Sequence, residues 1–265
     1  MKKQFPVGLV VEGNSTGSAV LRLPKIAEEL GPVKSAAMRV ARRLSNLMRA
    51  GYAVEDYEEL QAARLILLRM PDSSVPRVVD ELCTSELAFK DLSFVLCESW
   101  LRIEILEPLR ARGASIATVV AVPSKNRDWF AIEGQTAAVR QLRRFLERNE
   151  ARAVELRPGS KALFFAAELL ITALPVPLLM AAQQAMRVSG ISGNRLAALQ
   201  DQVAQEMFRS FIRGARTTWG GPLNECSSET ATAHLAALRE NHNSIAQVVD
   251  AHLDWARKRM SKQKR

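Results

Sequence analysis

Apolar residues fall in short blocks along the first part of the chain and in long helical arrays after it. The blocks Val7 to Val11, Ser35 to Ala41, Leu65 to Met70, Ser93 to Cys97, Ser115 to Val120, Trp129 to Glu133 and Arg152 to Leu156 predict strands. Most are continuous apolar runs, the pattern of strands buried on both faces of a parallel sheet. Helical spacing between them predicts helices over Ala19 to Leu30, Arg43 to Ala50, Val75 to Leu82, Ile103 to Arg112 and Gln135 to Asn149. Gly31-Pro32, Gly51 and Gly113 stand where helix stops are expected. Strands alternating with helices predict a doubly wound α/β sheet, with ligands at the carboxyl ends of the strands where the strand order reverses.

After Arg157-Pro158-Gly159 the strand signals stop and Ala, Leu, Met and Gln dominate. The sequence therefore predicts two domains, 1–157 and 158–265, the second all-α. Its first helix is expected from Ser160 to Val188, almost wholly apolar along Ala162 to Ala182 and so in the centre of a bundle. Pro175 and Pro177 should kink it. Further helices are expected over Gly193 to Arg216, Ser227 to Glu240 with Ser227 or Ser228 as N-cap, and Ser244 to Met260.

The segment from Val10 to Val20 reads as a strand, a small-residue turn and the start of a helix. Gly13, Asn14, Ser15, Thr16, Gly17 and Ser18 let backbone N–H groups approach an anion, and a helix start favours negative charge. The spacing departs from G-x-G-x-x-G, since neither Val11 nor Ser15 is glycine. Two readings stay open: a dinucleotide phosphate turn, and an ordinary strand-to-helix turn with glycine at positive φ.

At 265 residues, 48% hydrophobic and 25% charged, the chain can bury a large core. No run is read as long and apolar enough to span a bilayer, and the N-terminus lacks the form of a signal peptide, so a cytoplasmic location and no membrane are expected. Cys83, Cys97 and Cys226 lie far apart without metal-ligand spacing, so buried reduced thiols and no metal are expected. The net charge of +9 invites a nucleic-acid reading. Much of it sits in the C-terminal tail, the rest alternates with acids on helical faces, and no nucleic-acid-binding signature is present, so no nucleic-acid partner is expected. His234, His242 and His252 lack ligand spacing and read as helix-surface residues.

Four segments carry a family resemblance: the strand and turn at Val10 to Val20; Ala63 to Asp72, ending Met70-Pro71-Asp72; Trp129-Phe130-Ala131-Ile132-Glu133-Gly134; and Thr218 to Leu223 with His234 to Leu238. In this order, over most of the chain, they resemble Rossmann-like proteins with a C-terminal domain of unknown function, DUF2520. These are relatives of 6-phosphogluconate dehydrogenase, pyrroline-carboxylate reductase and F420-dependent NADP reductase. The resemblance implies a dinucleotide on the first domain, a small-molecule substrate pocket between domains, and a homodimer through the helical domain. It implies cofactor contacts at Gly13, Asn14, Ser15, Thr16, Gly17 and Pro71. The chain departs from the family where a Ser-Gly pair is replaced by Glu98-Ser99-Trp100, and where His-Pro-Leu is replaced by Ala121-Val122-Pro123.

Arg42 and Arg43, expected just after the second strand, are either a clamp for the 2′-phosphate of NADP or a charged helix start. Lys161 opens the helical domain, where the resemblance implies a proton donor; a plain solvated lysine is the favoured alternative. Glu168 is an acid within an apolar run, expected to line the interdomain cleft or to meet Arg213 or Arg216. Glu98 and Trp100 are expected at the same cleft, and Trp219-Gly220-Gly221-Pro222 as a loop toward it or an interface. Two functions follow: an NADP-dependent oxidoreductase acting on a small carbonyl or imine, with Lys161 and Glu168 as candidate catalytic residues, or a non-catalytic Rossmann-like dimer that binds a ligand or protein.

Overall fold

The computed structural model describes residues 6–13, 18–124, 126, 128–213 and 226–261. The chain divides into two compact units, Met1–Ala166 and Ala167–Arg265. In the first unit, β1 (Val7–Val11), β2 (Leu30–Lys34), β3 (Tyr52–Val54), β4 (Leu65–Arg69), β5 (Ser93–Cys97), β6 (Ser115–Ala121), β7 (Trp129–Gly134) and β8 (Arg152–Glu155) form one sheet. Its order is β3-β2-β1-β4-β5-β6-β7-β8, parallel throughout except where β7 runs antiparallel to β6. The first six strands have the order 3-2-1-4-5-6 of a dinucleotide-binding sheet, and the order reverses between β1 and β4.

The unbroken apolar runs of β1, β4 and β5 follow from burial on both faces. Leu65, Leu67, Val95 and Cys97 face one layer with α5 (Thr136–Arg148), which buries Val139, Leu142, Phe145 and Leu146. Ile66, Leu68, Phe94 and Leu96 face the other, where α3 (Val75–Thr84) buries Val78, Val79 and Leu82. Each such side chain contributes about 1.5–3 kcal/mol.

Three expectations are corrected here. The second strand is Leu30–Lys34, and the stretch expected as that strand opens a helix, α2 (Met38–Met48), which buries Ala41, Leu44 and Ser45 at helical spacing. Gly31-Pro32 lies inside β2 and ends no helix: β1 and β2 shift register between Val7 and Leu9, the kind of irregularity that accommodates a proline in a strand. The helix expected over Ala19 to Leu30 is reduced to a 3-10 turn, Val20–Arg22, and a single turn, α1 (Ile26–Glu29), because Pro24 between them cannot continue a helix. Strand β3, three residues long, had no sequence signal. It follows Gly51 at φ +69, where a Cβ would come within 2.6 Å of the Gly31 carbonyl oxygen. The first unit is completed by α4 (Glu107–Ala111) and by the opening turns of α6 (Lys161–Thr172).

The second unit holds the end of α6, α7 (Pro175–Val188), α8 (Gly193–Ile212), α9 (Ser228–Asn241) and α10 (Asn243–Ser261). Ser227 caps α9 by accepting the Thr230 N–H at 3.1 Å. Arg239 of α9 makes a two-bonded ion pair with Asp250 of α10 at 2.8 and 3.0 Å. The expected single kinked helix is two helices, since Pro175 starts α7 at a position whose N–H needs no partner. That apolar stretch is not central either: Leu163, Leu170, Ile171 and Met180 are all more than 60% exposed. Residues 161–188, which contain an 18-residue window with a mean hydropathy of 2.1, are also long and apolar enough to cross a membrane by length and composition, which corrects the sequence reading.

Candidate functional site

The carboxyl ends of β1, β4 and β5 converge where the strand order reverses, and the chain's unusual charges gather there. The Glu12 N–H donates to the Arg69 carbonyl at 3.1 Å, carrying the β1–β4 ladder one residue past the strand. Gly13 then turns with φ +67, and a Cβ on it would come within 3.1 Å of the Pro71 ring. Glycine at this position lets the chain leave the sheet over an exposed Pro71. Asn14, Ser15, Thr16 and Gly17 lie outside the described residues.

Glu98, the residue after β5, has φ +56, a conformation glycine adopts far more readily. This is the place where the family resemblance puts a small Ser-Gly pair. Its carboxylate Oε1 accepts the Ser18 hydroxyl at 3.0 Å and the Val20 N–H at 2.9 Å, while Oε2 pairs with Arg69 Nε at 2.8 Å. Arg69, a lone cation ending an apolar strand, is a candidate site residue the sequence reading passed over.

Lys161, the first residue of α6, is buried and not solvated as favoured from sequence; its Nζ donates to the Leu101 carbonyl at 2.8 Å. The buried Ser99 hydroxyl accepts the Leu101 N–H at 3.1 Å and so fixes that carbonyl. Trp100 packs on Phe164 and Phe165 at ring separations of 6.5 and 4.8 Å, which anchors the first turn of α6. Burial lowers the Lys161 pKa to about 8, against the opposing pull of Glu133, Asp72 and Cys97. Glu133 is itself buried and takes the Gly159 N–H. The charges of Glu98, Arg69 and Lys161 all bear on the buried Cys97 thiol, whose pKa is pushed up chiefly by burial. Cys97 alone of the three cysteines is fully buried, and all three are free thiols.

Arg42 and Arg43 do not follow the second strand. They sit within α2 on its exposed side, opposite Ala41, Leu44 and Ser45, because β2 ends at Lys34. The cation at the end of β2 is Lys34, whose ammonium lies 5.0 Å from the Tyr57 ring centroid and donates to the Ser35 carbonyl at 3.2 Å. A lysine closing an apolar strand was the signal available for it. The Lys34 ammonium is a donor that suits a dinucleotide's phosphates, whereas the Ser18 hydroxyl is already engaged by Glu98.

Glu168 lies two turns along α6 from Lys161. Its Oε2 is buried without a hydrogen-bond partner among the described residues, and desolvation raises its pKa. No ion pair joins it to Arg213 among the described residues; Arg216, and the Thr218 to Leu223 segment with Trp219-Gly220-Gly221-Pro222, lie outside them.

Residues 129–252 match the family described as a domain of unknown function, DUF2520. No curated protein matches the chain in sequence. Solved structures share its fold at low identity. One is a protein from Thermotoga maritima, 17% identical with a TM-score of 0.66, covering 98% of this chain and 100% of that one. A reductive aminase from Aspergillus terreus in complex with NADPH and ethyl-5-oxohexanoate is 14% identical with a TM-score of 0.68, covering 97% and 94%. A pyrroline-5-carboxylate reductase from Coxiella burnetii is 12% identical with a TM-score of 0.60, covering 92% and 96%. The chain thus shares its fold, a Rossmann-like sheet followed by helices, with these structures, and its residues 129–252 are similar to the DUF2520 family.

Proposed function

We propose that the chain is an oxidoreductase that binds a nicotinamide dinucleotide, NADP(H) in preference, at the carboxyl ends of β1 and β2. Its substrate is a small carbonyl or imine compound. The observation that carries this reading is Lys161: a buried ammonium with a pKa near 8, beside the end of β5 in a sheet of dinucleotide-binding order. A lysine so tuned is charged at neutral pH yet ready to release its proton, which is what a general acid for a reduced carbonyl or imine requires. The bound cofactor supplies the hydride. Gly13, Asn14, Ser15, Thr16, Gly17 and Pro71 are assigned to the phosphates, and Lys34 to the 2′-phosphate role weighed above for Arg42 and Arg43. Glu168, with its unpartnered oxygen, is the second proton-handling candidate.

We further propose a homodimer through the helical part, whose exposed apolar residues need cover, and a cytoplasmic setting, where three unbridged thiols persist. The second reading, a non-catalytic ligand- or protein-binding dimer, is favoured by one observation: Glu98 already consumes two donors next to the turn. Titration with NADPH and NADH, followed by nicotinamide fluorescence, separates the two. Tighter binding of NADPH supports the oxidoreductase, and binding of neither favours the second reading.

A further inference from the structure

Two donors and a guanidinium from two strand ends converge on a carboxylate carried by a third. Ser18 and Val20 follow β1, Arg69 ends β4, and Glu98 follows β5. The Ser18 hydroxyl and the Val20 N–H donate to one oxygen of Glu98, and the Arg69 guanidinium lies against the other as an ion pair at 2.8 Å whose Nε–H is not hydrogen-bonded among the described residues. The Glu98 and Arg69 side chains are 14% and 19% exposed, so water does little to screen them. A hydroxyl, a backbone N–H and the positive charge of a guanidinium held around two oxygens would serve a phosphate equally well. The carboxylate and a ligand phosphate are therefore rivals for it, and like charges a few ångströms apart in a half-buried site repel strongly. The chain also keeps Glu98 at a positive φ that its side chain disfavours, so no backbone preference accounts for the placement.

We propose that Glu98 is a built-in competitor for the anionic ligand of this site: its carboxylate fills donors that a phosphate would use, and how readily it yields them sets the ligand's affinity. The inference rests on the dinucleotide reading for the ligand's identity, though not for its charge. A purely structural clamp predicts the contrary, since loosening the turn would weaken binding.

The test compares the full-length protein with Glu98→Gly and Glu98→Gln. Glycine accepts the positive φ and vacates the donors; glutamine keeps the size and an acceptor but removes the charge. NADPH binding is read by nicotinamide fluorescence, and inorganic pyrophosphate binding by the shift in melting temperature. Glu98→Gly should bind NADPH about tenfold more tightly than the unmodified protein, with a steeper salt dependence from the uncovered Arg69. Glu98→Gln should gain less, and pyrophosphate should raise the melting temperature of Glu98→Gly above the shift it gives the unmodified protein. If NADPH binds the unmodified protein and binds Glu98→Gly no better, the proposal is overturned while the dinucleotide reading stands. If pyrophosphate stabilises Glu98→Gly selectively and NADPH binds none of the proteins, the proposal stands and the dinucleotide reading fails. Binding of neither ligand to any of the three overturns the proposal. Should Glu98→Gly not fold, Glu98→Gln decides on the same criterion.

Discussion

The ammonium of Lys161 donates to the Leu101 carbonyl at 2.8 Å from a buried position, and among the described residues no carboxylate bonds to it directly. Desolvation therefore outweighs the more distant charges of Glu133 and Asp72, and the pKa falls from 10.5 to about 8. Below pH 8 both folded and unfolded chains hold the proton, so the folded state bears the full cost of a buried charge. Between pH 8 and 10.5 the unfolded chain holds a proton the folded one has shed, and stability rises with pH by up to about 3 kcal/mol, less whatever solvent screening remains. Melting curves of the unmodified protein and Lys161→Met, compared across this window, should converge as pH rises, with the variant the more stable below pH 8. A constant difference would show an ordinary, solvated lysine. If Lys161 is the proton donor, turnover should also decline above pH 8.

Glu168 gives the opposite sign. Its raised pKa means that the folded chain retains a proton just above the ordinary carboxylate range, and stability is lost as pH rises through that raised value. No arginine is stranded by its removal among the described residues, so the loss of about 3–5 kcal/mol that follows from breaking a buried ion pair is not expected. Glu168→Gln should melt at the same temperature as the unmodified protein or higher at pH 7. A loss of turnover or ligand binding at unchanged melting temperature would mark Glu168 as a site residue; a drop of many degrees would reveal a partner.

Much of the sheet was legible because parallel strands buried on both faces write themselves as apolar blocks. Leu65 to Arg69, Ser93 to Cys97 and Trp129 to Gly134 lie where those blocks predict. The second strand was not legible, because Leu30-Gly31-Pro32-Val33-Lys34 holds the two residues that normally end elements. Their use inside a strand depends on a register shift against β1 that only pairing reveals. That slip carried the cofactor assignment with it, moving attention to Arg42 and Arg43 and away from Lys34. Lys161 was visible by position, but its burial and its bond to the Leu101 carbonyl, 60 positions earlier, follow from tertiary packing. Glu98 stood out as a departure from the family pattern, whereas its pairing with Arg69, 29 positions earlier, follows from β4 and β5 lying side by side.

Cofactor preference now turns on Lys34. Lys34→Ala should weaken NADPH binding by about 10- to 100-fold relative to NADH, the worth of a charge-assisted bond of about 1.5–3 kcal/mol. Arg42→Ala with Arg43→Ala should leave the ratio of the two affinities unchanged, since both side chains stand on the exposed side of α2. Fluorescence titration of the three proteins with both cofactors checks this. A preference that survives Lys34→Ala and disappears with the arginine pair would return the role to Arg42 and Arg43.

The last expectation concerns assembly. Leu170 and Ile171 of α6, Met180 of α7 and Ile212 of α8 are each more than 60% exposed, and so many large apolar side chains on one helical unit need cover. A second copy supplies it symmetrically, because in a two-fold interface each copy presents the same apolar surface to the other. An interface of the obligate kind would bury more than about 2,000 Å² in total. Sedimentation at micromolar concentration should therefore find a dimer. Ile171→Asp should shift the equilibrium toward monomer, since a carboxylate buried in an apolar interface without a partner carries a large desolvation cost. The melting temperature of the unmodified protein should rise with protein concentration, as mass action requires of a folded state stabilised by its own association. A stable monomer whose melting temperature is independent of concentration would show that these side chains are covered in some other way.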